Sequence, residues 1–190
     1  MATCNLSAGR NEVCKDSIGG LQAVYFLVGE GPQFYTGSFD LDAAEEEVTA
    51  LPSGSTVYKY ELKGTSAYTE TVNSSRENGT TFFSQETVLN LKRLTNEMTT
   101  QLKLMAYGRN QIIVHTKNGE ALLVGEHNGA DLTAGTIQTG AGLGDLFGYS
   151  ITLTGEEKFP ARFLSGSKES DPFINLVGMD EVTVVVGSGN

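Results

Sequence analysis

The sequence predicts a mainly β protein. It reads as a β-sandwich or barrel-like core with one packed α-helix at about 95–107 and a long projecting β-hairpin at about 58–94. Three observations carry this. The first is a continuous apolar run, Leu21-Gln-Ala-Val-Tyr-Phe-Leu-Val28, of the kind that a strand covered on both faces requires. The second is a pair of arms rich in aromatic and β-branched residues on either side of Asn78-Gly79, which accepts positive φ at low cost. The third is a single stripe at helical spacing, Leu94, Met98, Leu102 and Met105.

The elements follow in chain order. Residues 1–20 are polar, hold Gly19 and Gly20, and form an arm ahead of the strand at 21–28. A Gly31-Pro32 turn and the acidic patch Asp40, Asp42, Glu45, Glu46 and Glu47 come next. A short helical turn over 43–48 fits there, and a solvated loop fits better. The hairpin has a first arm at 58–72, a turn at 73–79 and a return at 80–94, with Leu89, Leu91 and Arg93 on one face by the period-two rule. Arms of about fifteen residues are long for strands, which usually run about 5–6.

Thr95 is suited to cap the helix, Glu97 complements its dipole, and Gly108 ends it at C′. Ile112 to His115 and Ala121 to Val124, joined through Asn118-Gly119, make a second, short hairpin. Residues 130–139 alternate weakly. Residues 147–154 alternate cleanly, with Phe147, Tyr149, Ile151 and Leu153 on one face, and Phe159-Pro160 ends that sheet. A Ser-, Gly- and charge-rich break at 165–172 precedes a final strand at 181–186. The whole is a single domain, 1–190, with an arm (1–20), a core (21–164) and a C-terminal segment (165–190).

With 13 basic and 23 acidic side chains the formal charge is −10. That excludes a gripping nucleic-acid interface, which needs clustered cations to displace counterions. It suits a surface past which DNA slides without adhering. No apolar h-region opens the chain and no run approaches the ~20 residues that cross a bilayer. In a reducing cytoplasm Cys4 and Cys14 read as free thiols, with a disulfide between them as the alternative. Neither Cys has a histidine at metal-binding spacing, so no metal and no cofactor is expected.

Gly140-x-Gly142-x-Gly144 lacks the following helix that a phosphate cradle needs and is expected to be a turn. His115 and His127 are the only candidate general bases, without a nucleophile elbow or Cys-His pattern beside them. The acidic pairs Glu156-Glu157 and Asp40/Asp42 read as solvated turns. Asn5, Asn73 and Asn78 stand in glycosylation triplets, which mean nothing without secretion. The ribbon itself resists so plain an account, because two unpaired edges invite edge-to-edge association unless something covers them. A ring, in which each copy pairs with the next, leaves no edge.

The run at 60–64, the turn Asn73-Ser-Ser-Arg-Glu-Asn-Gly-Thr-Thr-Phe-Phe83, the helix end Ala106-Tyr-Gly-Arg109 and the strand Gly148-Tyr-Ser-Ile-Thr-Leu-Thr-Gly-Glu-Glu-Lys158 resemble virion structural proteins of tailed phages. The resemblance covers roughly residues 1–165 and includes Cys4, Gly9-Arg10, Cys14 and Gly19-Gly20. It is nearest to the tail-tube or connector-ring proteins of crAss-like and marine Bacteroidetes phages. It implies a tail-tube-like fold whose hairpins join into one barrel around a channel, in rings that are hexameric and stack into a tube for genome delivery. It further implies contacts between subunits or rings through Asn73, Ser74, Ser75, Arg76, Glu77, Asn78 and Gly79, and through the arm and the segment after Gly166. Glu61, Glu70, Glu77 and Glu86 are the candidate acidic lining of the lumen, subject to a register that Lys59, Lys63, Lys92 and Arg93 share. The implied partners are further copies and other tail or connector proteins, with DNA passing unbound and no membrane. A head-to-tail connector ring or auxiliary capsid protein is the alternative. A glycan-binding β-sandwich, disfavoured by the absence of Trp, and a hydrolase using His115 or His127 are the others.

Overall fold

The computed structural model describes residues 9–11, 15–28, 39–42 and 47–187. Cys4, Cys14, Gly31-Pro32 and, of the acidic patch, Glu45 and Glu46 lie outside them.

Strand β1 (Leu21–Val28) occupies the middle of a six-stranded sheet and is flanked on both sides. The order is β11 (Arg162–Phe163), β8 (Ala121–Val124), β7 (Gln111–Thr116), β1, β4 (Thr56–Glu61) and β12 (Thr183–Val186). The apolar run of β1 divides by parity. Val24 and Phe26 face a cluster with Leu89, Ile112, Tyr149 and Ile151, whereas Ala23, Tyr25 and Leu27 face another with Val48, Val57, Leu123 and Leu164. Both faces are therefore covered, which is why the run does not alternate.

The first cluster lies between this sheet and a second one of four strands, ordered β5 (Ala67–Ser75), β6 (Thr80–Lys92), β10 (Gly148–Glu157) and β9 (Asp131–Gln138). Helix α1 (Asn96–Tyr107) closes the same core with buried Met105 and half-buried Leu94, Met98 and Leu102. The expected stripe thus packs inward. Thr95 caps the helix by accepting the Met98 N–H at 3.1 Å. Gly108 differs from expectation: its φ is −106°, extended rather than left-handed, and its N–H still reaches the Leu104 carbonyl.

The second cluster is covered by β3 (Val48–Ala50), paired with β2 (Asp40–Leu41), and by the C-terminal segment. Phe173, Leu176 and Val182 are buried there. This corrects the expectation that residues after 166 are outer contacts, since their apolar side chains complete the subunit's own core. Val48 opens a strand, so the helical turn considered there does not reach it.

The hairpin is also corrected. Its first arm is not one strand at 58–72. It breaks at 62–66, where buried Leu62 donates its N–H to the Gln22 carbonyl and anchors the chain to the first sheet. Residues before the break pair with β1 and β12, and only β5 pairs with β6. Nor does all of the hairpin project. Strand β6 pairs with β10 from Lys92 back to Phe83, leaving only residues 73–82 beyond the sheet. Gly148 sits opposite Lys92, so close to the Leu91 carbonyl that a Cβ would clash.

Candidate assembly surface

On the four-stranded sheet, alternation separates an inner from an outer face. Inward go Gln85, Thr87, Leu89 and Leu91 of β6 with Tyr149, Ile151 and Leu153 of β10, all buried. Outward go rows fixed by register: Thr71 beside Ser84 and Glu156, Thr69 beside Glu86 and Thr154, and Ala67 beside Val88, Thr152 and Ala134. A hydroxyl contact, Thr133 to Thr154 at 3.0 Å, joins β9 to β10 across a bulge. The four strands contain one basic side chain, Lys92 at the end of β6, against five acidic ones. The outer face is therefore a hydroxyl-rich surface with isolated carboxylates, and cations are kept to its margin.

The four lumen candidates do not share this face. Glu86 lies on it, opposite Thr69 and Thr154. Glu77 lies in the turn at the ribbon's tip. Glu61 ends β4 in the other sheet and pairs with Lys63 at 3.4 Å. Glu70 points inward: its Oε1 accepts from Gln85 Nε2 at 3.2 Å and from the Ala161 N–H at 3.0 Å. The pair Glu156-Glu157, expected to be a solvated turn, instead ends strand β10, with Glu157 buried and Glu156 on the outer face. The signal was available, because Ser150, Thr152, Thr154 and Glu156 alternate with buried Tyr149, Ile151 and Leu153.

Residues 73–79 lie together at the tip. Asn73, Ser74 and Ser75 finish β5 opposite Phe82, Thr81 and Thr80. Ser74 and Thr81 hydroxyls meet at 3.1 Å, and Ser75 Oγ accepts the Asn78 N–H at 3.3 Å. Gly79 takes φ 64°, as the turn requires. Exposed Val72 and Phe82 flank the point where the ribbon leaves the sheet. Arg93 departs from the face that holds Leu89 and Leu91, because its φ of 72° turns it out of the strand line.

A network of buried polar groups holds the ribbon's base. Gln85 is 1 % exposed; besides donating to Glu70 it accepts the Gly125 N–H at 2.9 Å. Glu157 accepts the His127 and Asn128 N–H groups at 2.9 and 2.7 Å. Arg162 pairs with Glu126 at 3.2 Å, and both are largely buried. Burial, then the nearby Glu70 charge, pushes the Tyr68 phenol well above its ordinary value. The network joins β5, β6, the β8–β9 connection and β11 where the ribbon begins to project.

No protein-family model matches this chain, and no curated protein or solved structure does either.

His115 lies on β7 of the six-stranded sheet, and His127 lies in the connection between β8 and β9. His115 is buried, with Nε2 3.0 Å from the Lys168 carbonyl and Nδ1 2.9 Å from Gln22 Nε2. The ring thus tethers the C-terminal segment rather than facing a substrate, and burial holds its pKa below the ordinary value. His127 Nδ1 lies 3.8 Å from Glu157 at the polar network. The glycine-rich connection at 140–145 is a turn whose Ala141 and Gly142 N–H groups are taken by Asp145 Oδ2 at 2.9 and 2.7 Å. These two donors also hold the Asp145 carboxyl below its usual range. Among the described residues no group of three or more His, Cys, Asp or Glu side chains could hold a metal ion. No described helix is long and apolar enough to cross a membrane.

Proposed function

We propose that this chain is a ring-forming structural subunit of a tailed-phage virion, a tail-tube-like protein whose stacked rings form a conduit for DNA. One observation carries the reading: a four-stranded sheet with an outer face of hydroxyls and carboxylates and end strands that lack an outer strand partner, the β9 side being met only at its start, where Asn110 bridges Ala130. Strands β5 and β9 end the order, and among the described residues neither has a strand partner on its outer side. Joining β5 of one copy to β9 of the next satisfies both edges at once and continues the sheet around a closed barrel. The face that bears Glu86 and Glu156 then lines the channel, where carboxylates repel phosphates and the cations stand at its margins, Lys92 at the end of β6 and Arg109 paired with Asp131 at the start of β9. Ring closure by six copies is the expectation from the resemblance above, and the role is passive, with no chemistry asked of the subunit.

The test is assembly. The purified chain, imaged by negative stain and weighed by native mass spectrometry across a concentration series, is expected to form closed rings or stacked tubes. A protein that stays monomeric throughout overturns the reading. Rings that never stack point instead to a connector position in the particle.

A further inference from the structure

Strand β6 carries different structures at its two ends. One end leads into the tip, with Arg76 and Glu77. At the other, a cleft of about 410 Å³ opens between β4, the end of β6 and the start of α1. Leu91 and Met98 line it together with the charged Lys59, Glu61, Lys92, Arg93 and Glu97. Thirteen residues of extended chain separate the two ends, a span of about 40 Å. A copy's tip therefore cannot enter its own cleft.

We propose that this cleft receives the ribbon tip of a second copy in the next ring, with Glu77 of the tip against Arg93 and Lys92, and Arg76 against Glu97. The inference rests on the ring reading above and names the contact that stacks one ring on another. Three features point to a copy of this chain as the occupant. The first is charge. At −10 overall, copies repel at a distance, so association needs a local exception, and the cleft gathers three of the chain's 13 cations against two carboxylates, Glu97 and a Glu61 already paired with Lys63. The second is backbone conformation. Arg93 is the only described non-glycine residue at positive φ, 72°, a conformation that Gly or Asn adopts at less cost. Holding an arginine there directs a long cation to the cleft wall instead of along β6. The third is polarity. Tip and cleft lie at opposite ends of one strand, so the contact is head-to-tail and propagates as an open stack rather than closing as a dimer. The volume lies at the small end of ligand-sized cavities and suits the side chains of a turn.

The test compares wild type, Glu77→Lys, Arg93→Glu and the chain carrying both changes, each imaged for rings and stacks and melted for fold. Each single change is expected to keep rings and melting temperature but reduce stacking about tenfold or more, because the loss repeats around the ring. The double change is expected to restore stacks, since the charges then meet in reverse. Arg93→Asn, which tolerates the same φ, should melt no lower than wild type and still stack poorly. Normal stacking by either single variant or by Arg93→Asn, or failure of the double variant to recover, overturns the docking while leaving rings and their reading intact. Absence of rings in wild type removes the reading and the docking together.

Discussion

Glu70 and Gln85 meet across the base of the ribbon, the Gln85 amide donating to the Glu70 carboxylate at 3.2 Å from a site almost closed to water. The same Gln85 accepts the Gly125 N–H on its other side, and the same Glu70 accepts the Ala161 N–H. Two residues thus tie β5 and β6 to two separate loops. Gln85→Ala is expected to leave a buried N–H and a carboxylate each short of a partner, at a cost of about 2–3 kcal/mol. Urea unfolding of the purified variant checks it. A loss no larger than that of Ser84→Ala, a change at the neighbouring outward position, would remove the structural role claimed for the network.

His115 links the C-terminal segment to β7 in its neutral form. Its Nε2–H donates to the Lys168 carbonyl and its Nδ1 accepts from Gln22. Burial lowers its pKa below the ordinary 6.5, so below that pH the unfolded chain binds a proton that the folded chain refuses. Stability is then fully present above 6.5 and lost as pH falls through the folded value. Unfolding midpoints at pH 7 and pH 5 should show the drop. His115→Gln should have a lower midpoint at pH 7 and a smaller change between the two pH values. An equal pH dependence in the variant would assign the effect to other groups.

Local periodicity made much of this fold legible, and failures concentrate where pairing is distant in sequence. The apolar run of β1, the Thr95 cap with its stripe, and the Asn-Gly turns at 78–79 and 118–119 each state their structure within a dozen residues. The break at 62–66 could not be read this way. Tyr58 to Glu61 and Tyr68 to Val72 alternate alike, although the first segment joins β1 and the second β6. Leu62 and Gly64 were the available signals, a core residue and a flexible one inside an otherwise polar stretch. The inward turn of Glu70 was equally hidden, because a carboxylate at a strand position reads as solvent-facing until Gln85 and the Ala161 N–H are brought to it. Phe173, Leu176 and Val182 sit in turns without a period, so their burial depends on a surface that only the folded sheet supplies.

Alkaline pH offers a second titration. Burial, with a smaller contribution from Asp171, pushes the Tyr25 phenol up to about 12. Tyr60 and Tyr68 are raised as well, again chiefly by burial. A raised pKa favours the protonated, folded form, so stability is intact below pH 10 and declines as pH climbs from 10 towards 12. Tyr25 alone accounts for up to about 2 kcal/mol of that decline. Phenolate absorbance should lag behind that of the unfolded chain and then rise together with loss of structure. Tyr25→Phe should shallow the stability curve between pH 10 and 12, and an unchanged slope would contradict the assignment.

The projecting part of the ribbon tests assembly without touching the core. Residues 74–75 and 80–81 form two complete cross-strand pairs beyond the end of β10. Removing those four while keeping the turn 76–79 brings the turn onto the Asn73–Phe82 pair and preserves every inward and outward assignment. No buried side chain is lost and the polar network is intact, so unfolding free energy should change by less than about 1 kcal/mol. The tip would nevertheless fall about 7 Å short of a neighbouring ring. Rings are therefore expected to form from this shortened chain at wild-type concentrations, because β5 retains residues 67–73 for lateral pairing, while tubes are lost. Full-length tubes from the shortened chain would exclude the tip from stacking, and failure to form even rings would place the lateral seam within the excised pairs rather than along the edge of β5.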